Sequence, residues 1–112
     1  MAHEPSTVVI ALTTMPAEES QAVQLARALV DRQVAACVNL LPPMLSTYRW
    51  QGVVEQATER QIVIKTTRAR VADLKNVLAE LHPYDVPELL ILDVADGGKT
   101  YLEWVGENVG HL

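Results

Sequence analysis

A long, apolar β-hairpin over residues 34–67 constrains the fold more than any other feature of this sequence. Two strand-like segments, Val34–Leu41 and Leu45–Trp50, lead to the pair Gln51-Gly52, and Val53–Thr67 leads back. Glycine adopts a positive φ without steric cost, so this pair is suited to a tight turn. The segment therefore predicts two long antiparallel strands joined at Gln51-Gly52.

The predicted hairpin is longer than a compact domain of this size. At about 14 residues per arm and about 3.3 Å per residue it spans about 46 Å, whereas a compact domain of similar length is about 34 Å across. Pro42-Pro43 has no N–H to donate, which predicts a bulge or an edge position there. An overhanging hairpin exposes strand edges that pair with other chains. We therefore expect a homo-oligomer built partly by this hairpin; a strongly twisted or broken ribbon is the alternative.

The remaining segments complete a two-layer pattern. The other predicted elements are a strand at 7–13, a helix that begins at Thr14-Met15-Pro16 with Thr14 as N-cap, a helix at 68–82, a strand at 88–95 and a helix at 99–109. Apolar residues recur at helical spacing in the first two helices, and Pro83 disfavours helical backbone beyond His82. The order β-α-β-β-α-β plus a terminal helix predicts a ferredoxin-like α+β sandwich. We expect one domain over 1–112, with 1–6 as a loose tail.

Charge and cysteine content exclude several classes of protein. The chain has 112 residues, a formal net charge of -5 and 49% hydrophobic residues, which argues for a globular domain and against a nucleic-acid or anionic-membrane surface. Cys37 is the only cysteine, so an intramolecular disulfide is impossible. The N-terminus does not resemble a signal peptide, and no apolar run is long enough for a membrane helix. These features predict a cytoplasmic protein.

The stretch "LHPYDVPE" is the richest in candidate functional groups. His82, Tyr84, Asp85 and Glu88 lie within seven positions, and histidine is a common metal ligand. A rigid, proline-flanked loop holds such a ligand at little entropic cost. The alternative is a helix-terminating histidine, favoured by the negative end of the helix dipole, beside a stiff connector.

Other candidates lie in predicted strands. Cys37 is a possible thiolate ligand for a soft metal, although buried free cysteines usually behave as small hydrophobes. Asn39 points to the same face as Cys37, and an amide in so apolar a strand needs a hydrogen bond or a cavity wall. Lys65 either pairs with a carboxylate such as Glu88 or is a surface lysine. Trp50 and Trp104 are interpreted as packing residues, with ligand stacking as the alternative.

Catalysis is not predicted. The chain contains no GxxxxGK[ST], GxGxxG, HExxH, CxxC or GxSxG motif, so no standard local motif supports an enzyme. An enzyme in which Cys37, Lys65, Tyr84 and Glu88 converge is the third hypothesis.

The segments "ACVNLLP", "YRWQG", "LHPYDVPE" and "YLEWV" together resemble the CutA1 family of divalent-cation tolerance proteins, in order from about Thr7 to Val105. This resemblance implies a ferredoxin-like homotrimer assembled through strand pairing between subunits. It also implies a metal ion response, with copper binding in bacterial members by a cysteine that ends the first strand and two histidines before "PY". Here Thr13 and Leu81 stand at two of these positions, and only His82 matches.

The resemblance further implies an inter-subunit pocket. Its predicted residues are Cys37, Asn39, Lys65, Tyr84 and Glu88, with Trp50 and Trp104 nearby. We predict a homotrimeric divalent-cation tolerance protein that binds copper or another divalent ion weakly through His82, with Cys37 or Glu88 as partner ligands. The alternative is a regulatory or scaffold trimer whose inter-subunit pockets bind a small anionic ligand beside Lys65.

Overall fold

The computed structural model describes residues 7–110, so the predicted loose tail over residues 1–6 lies outside the described residues. Its elements, in chain order, are β1 (Val8–Pro16), α1 (Glu19–Asp31), β2 (Cys37–Trp50), β3 (Val53–Thr67), a 3-10 turn (Arg68–Arg70), α2 (Val71–Leu81), β4 (Leu90–Asp93) and α3 (Lys99–Glu107). The strands form one antiparallel sheet in the order β2-β3-β1-β4. The predicted ferredoxin-like α+β fold with a C-terminal helix is confirmed.

The main core lies between one face of the sheet and helices α1 and α2. Ala11 from β1 and Ile62 and Ile64 from β3 are fully buried there, against Leu29 of α1 and Leu74 of α2. Side chains alternate between the two faces of a strand, so these residues share the helix-covered face. Truncating a buried leucine of this kind to alanine typically costs about 2–5 kcal/mol.

Helix α3 packs on the opposite face, at one end only. Val105 and Val109 bury Val8 of β1 together with Ala36. The apolar residues that α3 leaves uncovered form what we call the open face: Ile10, Leu12, Val63, Leu90 and Leu92. Leu90 and Leu92 are 53% and 48% exposed. Leu92 pairs with Ile10, and Leu90 and Val63 both pair with Leu12, so the residues of the open face are contiguous across the three strands.

The hairpin has the geometry that the sequence predicted. Gln51 and Gly52 both have positive φ, at 49° and 82°, as a tight two-residue hairpin turn requires. The β2–β3 register shifts between Leu40 and Pro43, and β2 is an edge strand, which confirms the bulge at the prolines. The hairpin stretches the molecule to 52 × 29 × 23 Å.

Several predicted boundaries were wrong, and the first strand shows why. β1 continues to Pro16 because Met15 and Pro16 still pair with β3, so Thr14 lies in a strand and does not cap α1. The N-cap is Glu18, whose carboxylate accepts a hydrogen bond from the Gln21 N–H at 3.1 Å. A hydrogen bond from the Ser20 hydroxyl, followed by the bond from the Gln21 N–H, lowers the pKa of Glu18.

The other observed boundaries differ from the predicted ones by a few residues. Strand β2 begins at Cys37 because the N–H groups of Val34 and Ala35 still bond to the Leu29 carbonyl. Strand β4 is shorter than predicted, and the first residues of the predicted second helix form a 3-10 turn. Among the helices of residues 7–110, none has the length and apolar character needed to cross a membrane.

Candidate functional site

A cavity of about 840 Å³ lies on the face of the hairpin that continues the open face. We call it the hairpin cavity. Side chains of β2 and β3 form its floor, where Ser46 pairs with Ala57 at the centre. Both side chains are small. They are flanked by larger ones, Tyr48 and Glu55 on one side and Glu59 on the other. This alternation of sizes along the ribbon produces the depression.

The wall of the cavity is the segment 83–88 that follows α2. The Tyr84 hydroxyl donates a hydrogen bond to the Glu59 carboxylate at 3.0 Å. Near the end of the segment, the Gln61 amide donates to the Glu88 carboxylate at 2.9 Å and to the Thr13 carbonyl at 2.7 Å. Two polar residues of β3 therefore fix the wall in place.

His82 anchors the start of the wall and is 9% exposed. Its Nδ1 lies 3.1 Å from the Tyr84 N–H, which can only donate, so Nδ1 accepts and Nε2 carries the proton. Nε2 then donates to the Thr14 carbonyl at 2.7 Å. Burial lowers the pKa of His82, and the Thr14 carbonyl and the Glu59 charge only partly offset this effect. Both ring nitrogens are occupied by the protein itself.

Tyr84 is held as a hydrogen-bond donor. Burial, the bond to Glu59 and the negative charge of that carboxylate raise the pKa of Tyr84 to about 12. The phenol is therefore protonated throughout the physiological pH range and keeps the proton that it donates to Glu59. The His82 ring packs against the Tyr84 ring with a centroid distance of 4.9 Å.

The cavity is acidic and aromatic. Its carboxylates are Glu55, Glu59, Asp85 and Glu88, and its rings are Tyr48, Trp50 and Tyr84. The lining residues, all in the described part of the chain, include no lysine or arginine. Such a surface favours positively charged ligands over anions.

The seven predicted pocket residues lie in three places within one chain. Trp50, Tyr84 and Glu88 line the hairpin cavity, and Trp104 stacks on Tyr101 of α3 at a centroid distance of 5.7 Å. The third place is a cluster on paired positions of β2 and β3, described next. These groups do not line one common cavity within a single chain, so the predicted inter-subunit pocket stays a prediction.

The third place is the cluster of Cys37, Asn39 and Lys65. The Lys65 ammonium donates to the Asn39 amide oxygen at 2.5 Å, and the Asn39 amide nitrogen lies 3.8 Å from the Cys37 sulfur. Lys65 therefore pairs with an amide. It does not pair with Glu88, the carboxylate that one interpretation of the sequence had proposed as its partner. Asn39 is exposed in the described chain, so its amide sits in an apolar strand without a cost of burial.

The three predicted metal ligands, His82, Cys37 and Glu88, form no common site within one chain. Within residues 7–110, no three histidine, cysteine, aspartate or glutamate side chains lie close enough together to hold a metal ion. Thr13 is fully buried, and its hydroxyl has no hydrogen-bond partner among the described residues. Neither Thr13 nor Leu81 replaces the ligands that the resemblance implies at those positions.

Sequence reasoning named Trp50 of the cavity floor but missed the residues of β3 that form the rest of it. Glu55, Ala57, Glu59 and Gln61 alternate along β3 and so share one face. That period was visible in the sequence. What was not visible was the register shift at the prolines, which decides which residues of β2 face the same side.

Comparison with known proteins identifies the family. The model of the CutA1 divalent ion tolerance protein family matches residues 9–108. The divalent-cation tolerance protein CutA of Thermus thermophilus is 45% identical over 101 residues, which are 90% of this chain and 97% of that protein. Human Protein CutA is 41% identical over 103 residues, 92% of this chain and 57% of the human chain.

Solved structures agree with the sequence match. The solved structure of the divalent cation tolerance protein (Cut A1) from Thermus thermophilus superimposes with a TM-score of 0.88 at 44% identity, covering 92% of this chain and 99% of that one. Both the sequence and the fold match over nearly the full described length. This chain belongs to the CutA1 divalent ion tolerance family.

Proposed function

We propose that this protein acts in the cytoplasm as a homotrimer in the response to divalent cations, and that it binds copper or another divalent ion weakly. The observation that carries the proposal is the acidic wall of the hairpin cavity, in which Asp85 and Glu88 have no lysine or arginine beside them among the lining residues. Carboxylate oxygens are ligands for divalent ions. The names of the relatives associate the family with divalent-cation tolerance.

A weak, shared site follows from the arrangement of the ligands. One chain offers no complete set of metal-ligating groups within its described residues. Glu88 and the thiol of Cys37 remain available, because Glu88 bonds only to a neutral amide and Cys37 is half-buried and unpaired with another cysteine. A second chain has to supply the other ligands.

The proposed trimer is supported by the open face and the overhanging hairpin. Leu90 and Leu92 on the short edge strand β4 are about half exposed, and an edge strand with apolar side chains is a site for pairing with another chain. The hairpin makes the chain 52 Å long, and such an extension is suited to contact with a neighbouring subunit. The cytoplasmic location rests on the single unpaired cysteine, since reduced thiols are typical of that compartment.

Calorimetric titration with copper(II) and zinc(II) tests the metal site. Glu88→Gln and Cys37→Ala should each weaken binding, because each removes a ligand atom. His82→Gln should leave the affinity nearly unchanged, because both ring nitrogens already bond to the backbone. Glu107→Gln, at the end of α3, is the matched charge control. Equal binding by the wild type and the double variant Glu88→Gln, Cys37→Ala would refute the site.

The alternative of a small anionic ligand has no observation in its favour. It depended on Lys65, whose ammonium is engaged by Asn39 and does not line the hairpin cavity. The carboxylates of the cavity oppose an anion.

A further inference from the structure

We propose that Arg60 is a positioning residue for assembly: together with Glu59 it braces the hairpin at its base and so sets the direction in which the hairpin meets a second copy of this chain. The part of the hairpin that this brace directs covers residues 45–58, and we call it the overhang. The second copy rests on the trimer proposed above, whereas the brace rests on contacts within one chain.

The overhang has no strand beside it except its own partner within residues 7–110. The last pair between β1 and β3 is Pro16 with Glu59, and β4 pairs with residues 9–12 of β1. From Thr58 to the turn, β3 pairs with β2 alone. A two-stranded ribbon is marginally stable by itself, and a bulge such as the one at its base bends a strand. The contacts that fix its direction therefore have to lie at the base.

Arg60 ties the bulge to the rest of the molecule. Its Nε donates a hydrogen bond to the Ala17 carbonyl at 2.8 Å, and its Nη1 donates to the Leu41 carbonyl at 3.2 Å. Ala17 lies in the connection between β1 and α1, whereas Leu41 lies where the β2–β3 register shifts. The planar guanidinium carries several N–H donors in a fixed geometry, so one side chain bonds to both segments at once.

Glu59 makes a second tie on the opposite face of the hairpin. Consecutive side chains of a strand point to opposite faces, so Glu59 faces the wall over residues 83–88 when Arg60 faces the helices. The Glu59 carboxylate accepts the hydrogen bond of the Tyr84 hydroxyl at 3.0 Å. Ties on both faces, at neighbouring positions of β3, resist a swing of the overhang in either direction.

The direction of the overhang matters because the overhang is a lever. Each of its strands has seven residues and is about 23 Å long, so a swing of about 10° at the base moves the turn by about 4 Å. Such a displacement is enough to break hydrogen bonds between paired strands. Ordering a mobile segment during binding costs free energy, and a brace that orders it beforehand removes that cost. A braced overhang therefore holds a second copy more tightly than a mobile one.

Subunit exchange measures the effect of the brace on assembly. A tagged and an untagged form of the same variant are mixed, and native mass spectrometry follows the formation of mixed oligomers. Arg60→Met keeps an unbranched side chain but removes both hydrogen bonds to the carbonyls. It should speed subunit exchange by about 10-fold, because both lost bonds have a charged donor.

Two further substitutions make this test specific. Arg32→Met removes an arginine that bonds to Glu80 on the helix side, away from the hairpin, and should change the exchange rate by less than about 2-fold. Arg60→Lys keeps the charge but lacks the fork that bonds to two carbonyls, so its rate should lie between those of wild type and Arg60→Met. A rate of Arg60→Lys equal to that of wild type would show that charge alone suffices and would refute the tie.

Amide hydrogen exchange separates positioning from general stability. The backbone amides over residues 62–67, in the core part of β3, should be as well protected in Arg60→Met as in Arg32→Met. Faster subunit exchange with lost protection over 62–67 would mark a general loss of stability and would overturn the proposal. Equal rates of subunit exchange in Arg60→Met and Arg32→Met would overturn it as well.

Failure of the trimer is distinguishable from failure of the brace. If wild type is a monomer by native mass spectrometry, the proposed trimer is wrong, and the brace is measured at Trp50 in the overhang. The substitution Trp104→Phe leaves Trp50 as the one tryptophan of the chain, and its time-resolved fluorescence anisotropy reports nanosecond motion. An added nanosecond decay in Arg60→Met, absent in Arg32→Met, would support the brace, and identical decays would overturn it.

Discussion

Two fully buried threonines, Thr13 of β1 and Thr66 of β3, face the helices and differ in one hydrogen bond. The Thr66 hydroxyl donates to the Val34 carbonyl at 2.7 Å. The Thr13 hydroxyl has no partner within residues 7–110. A buried hydroxyl without a partner loses its hydrogen bonds to water and gains nothing in return.

Replacing each threonine by valine keeps the shape and removes the hydroxyl. Thr13→Val should raise the free energy of unfolding by about 1 kcal/mol, because an unsatisfied group is removed. Thr66→Val should lower it by about 1–2 kcal/mol, because the Val34 carbonyl loses its donor. Urea unfolding measures both. A loss of stability in Thr13→Val as large as that in Thr66→Val would show that the Thr13 hydroxyl is bonded.

His82 predicts a specific dependence of stability on pH. Burial holds its pKa below the ordinary value of 6.5, so the folded chain binds this proton less readily than the unfolded chain. The stability that the neutral ring contributes is fully present above 6.5 and is lost as the pH falls through the lower, folded pKa. Protonation of Nδ1 also removes the acceptor of the Tyr84 N–H.

The substitution His82→Gln separates the effect of His82 on the pH dependence of stability from the effects of other titrating groups. Wild type should lose more stability than His82→Gln when urea unfolding is compared at about pH 7.5 and about pH 5. Glutamine does not titrate, so the difference between the two proteins belongs to His82. Parallel losses in the two proteins would mean that His82 does not couple folding to protons in this range.

At the scale of elements, glycine has opposite effects on stability in the turn of the hairpin and in helix α3. Gly52 has a φ of +82° and open space around it, so only its backbone conformation resists a side chain. Gly106 lies inside α3, also with open space, but in helical backbone. Alanine disfavours the first conformation and favours the second.

The two glycines form a matched pair. Gly52→Ala should lower the free energy of unfolding by about 1 kcal/mol, and Gly106→Ala should raise it by about 0.5–1 kcal/mol. Thermal unfolding followed by circular dichroism gives both signs in one experiment. Stabilisation by Gly52→Ala would argue against a positive φ at this turn.

At the scale of the whole molecule, the open face is the exposed apolar surface through which we propose that subunits assemble. Leu92 is 48% exposed on β4, beside Ile10 of β1. Val23 is similarly exposed, at 39%, but lies on α1, on the other side of the sheet. The two residues therefore provide a test of where subunits meet.

Leu92→Lys should shift the protein from trimer to monomer, because it places an unpaired charge in the proposed interface. Val23→Lys should leave the trimer intact. Sedimentation velocity or light scattering coupled to size exclusion measures the mass of each. A wild type that sediments as a monomer, or a Leu92→Lys trimer as stable as the wild type, would contradict assembly through the open face.

The sequence by itself determined the elements and their order. The turn at Gln51-Gly52, the bulge at Pro42-Pro43 and the apolar stripes of the helices are local patterns, and the structure has all of them. Local patterns suffice because backbone conformation and side-chain alternation depend on residues that are close in the chain. The family, too, was visible in four short segments and is confirmed by the comparisons.

Only the tertiary structure decided what the candidate groups do. The sequence left His82 as either a metal ligand or a helix-terminating histidine, and only the fold placed its ring against the Thr14 carbonyl, 68 positions away in the chain. Tyr84 and Glu59, 25 positions apart, likewise meet only because the wall folds over the hairpin. The partners of a side chain, and hence its charge and availability, depend on segments brought together from afar. For this reason the sequence named the residues of the wall but not the acidic, aromatic cavity that they enclose.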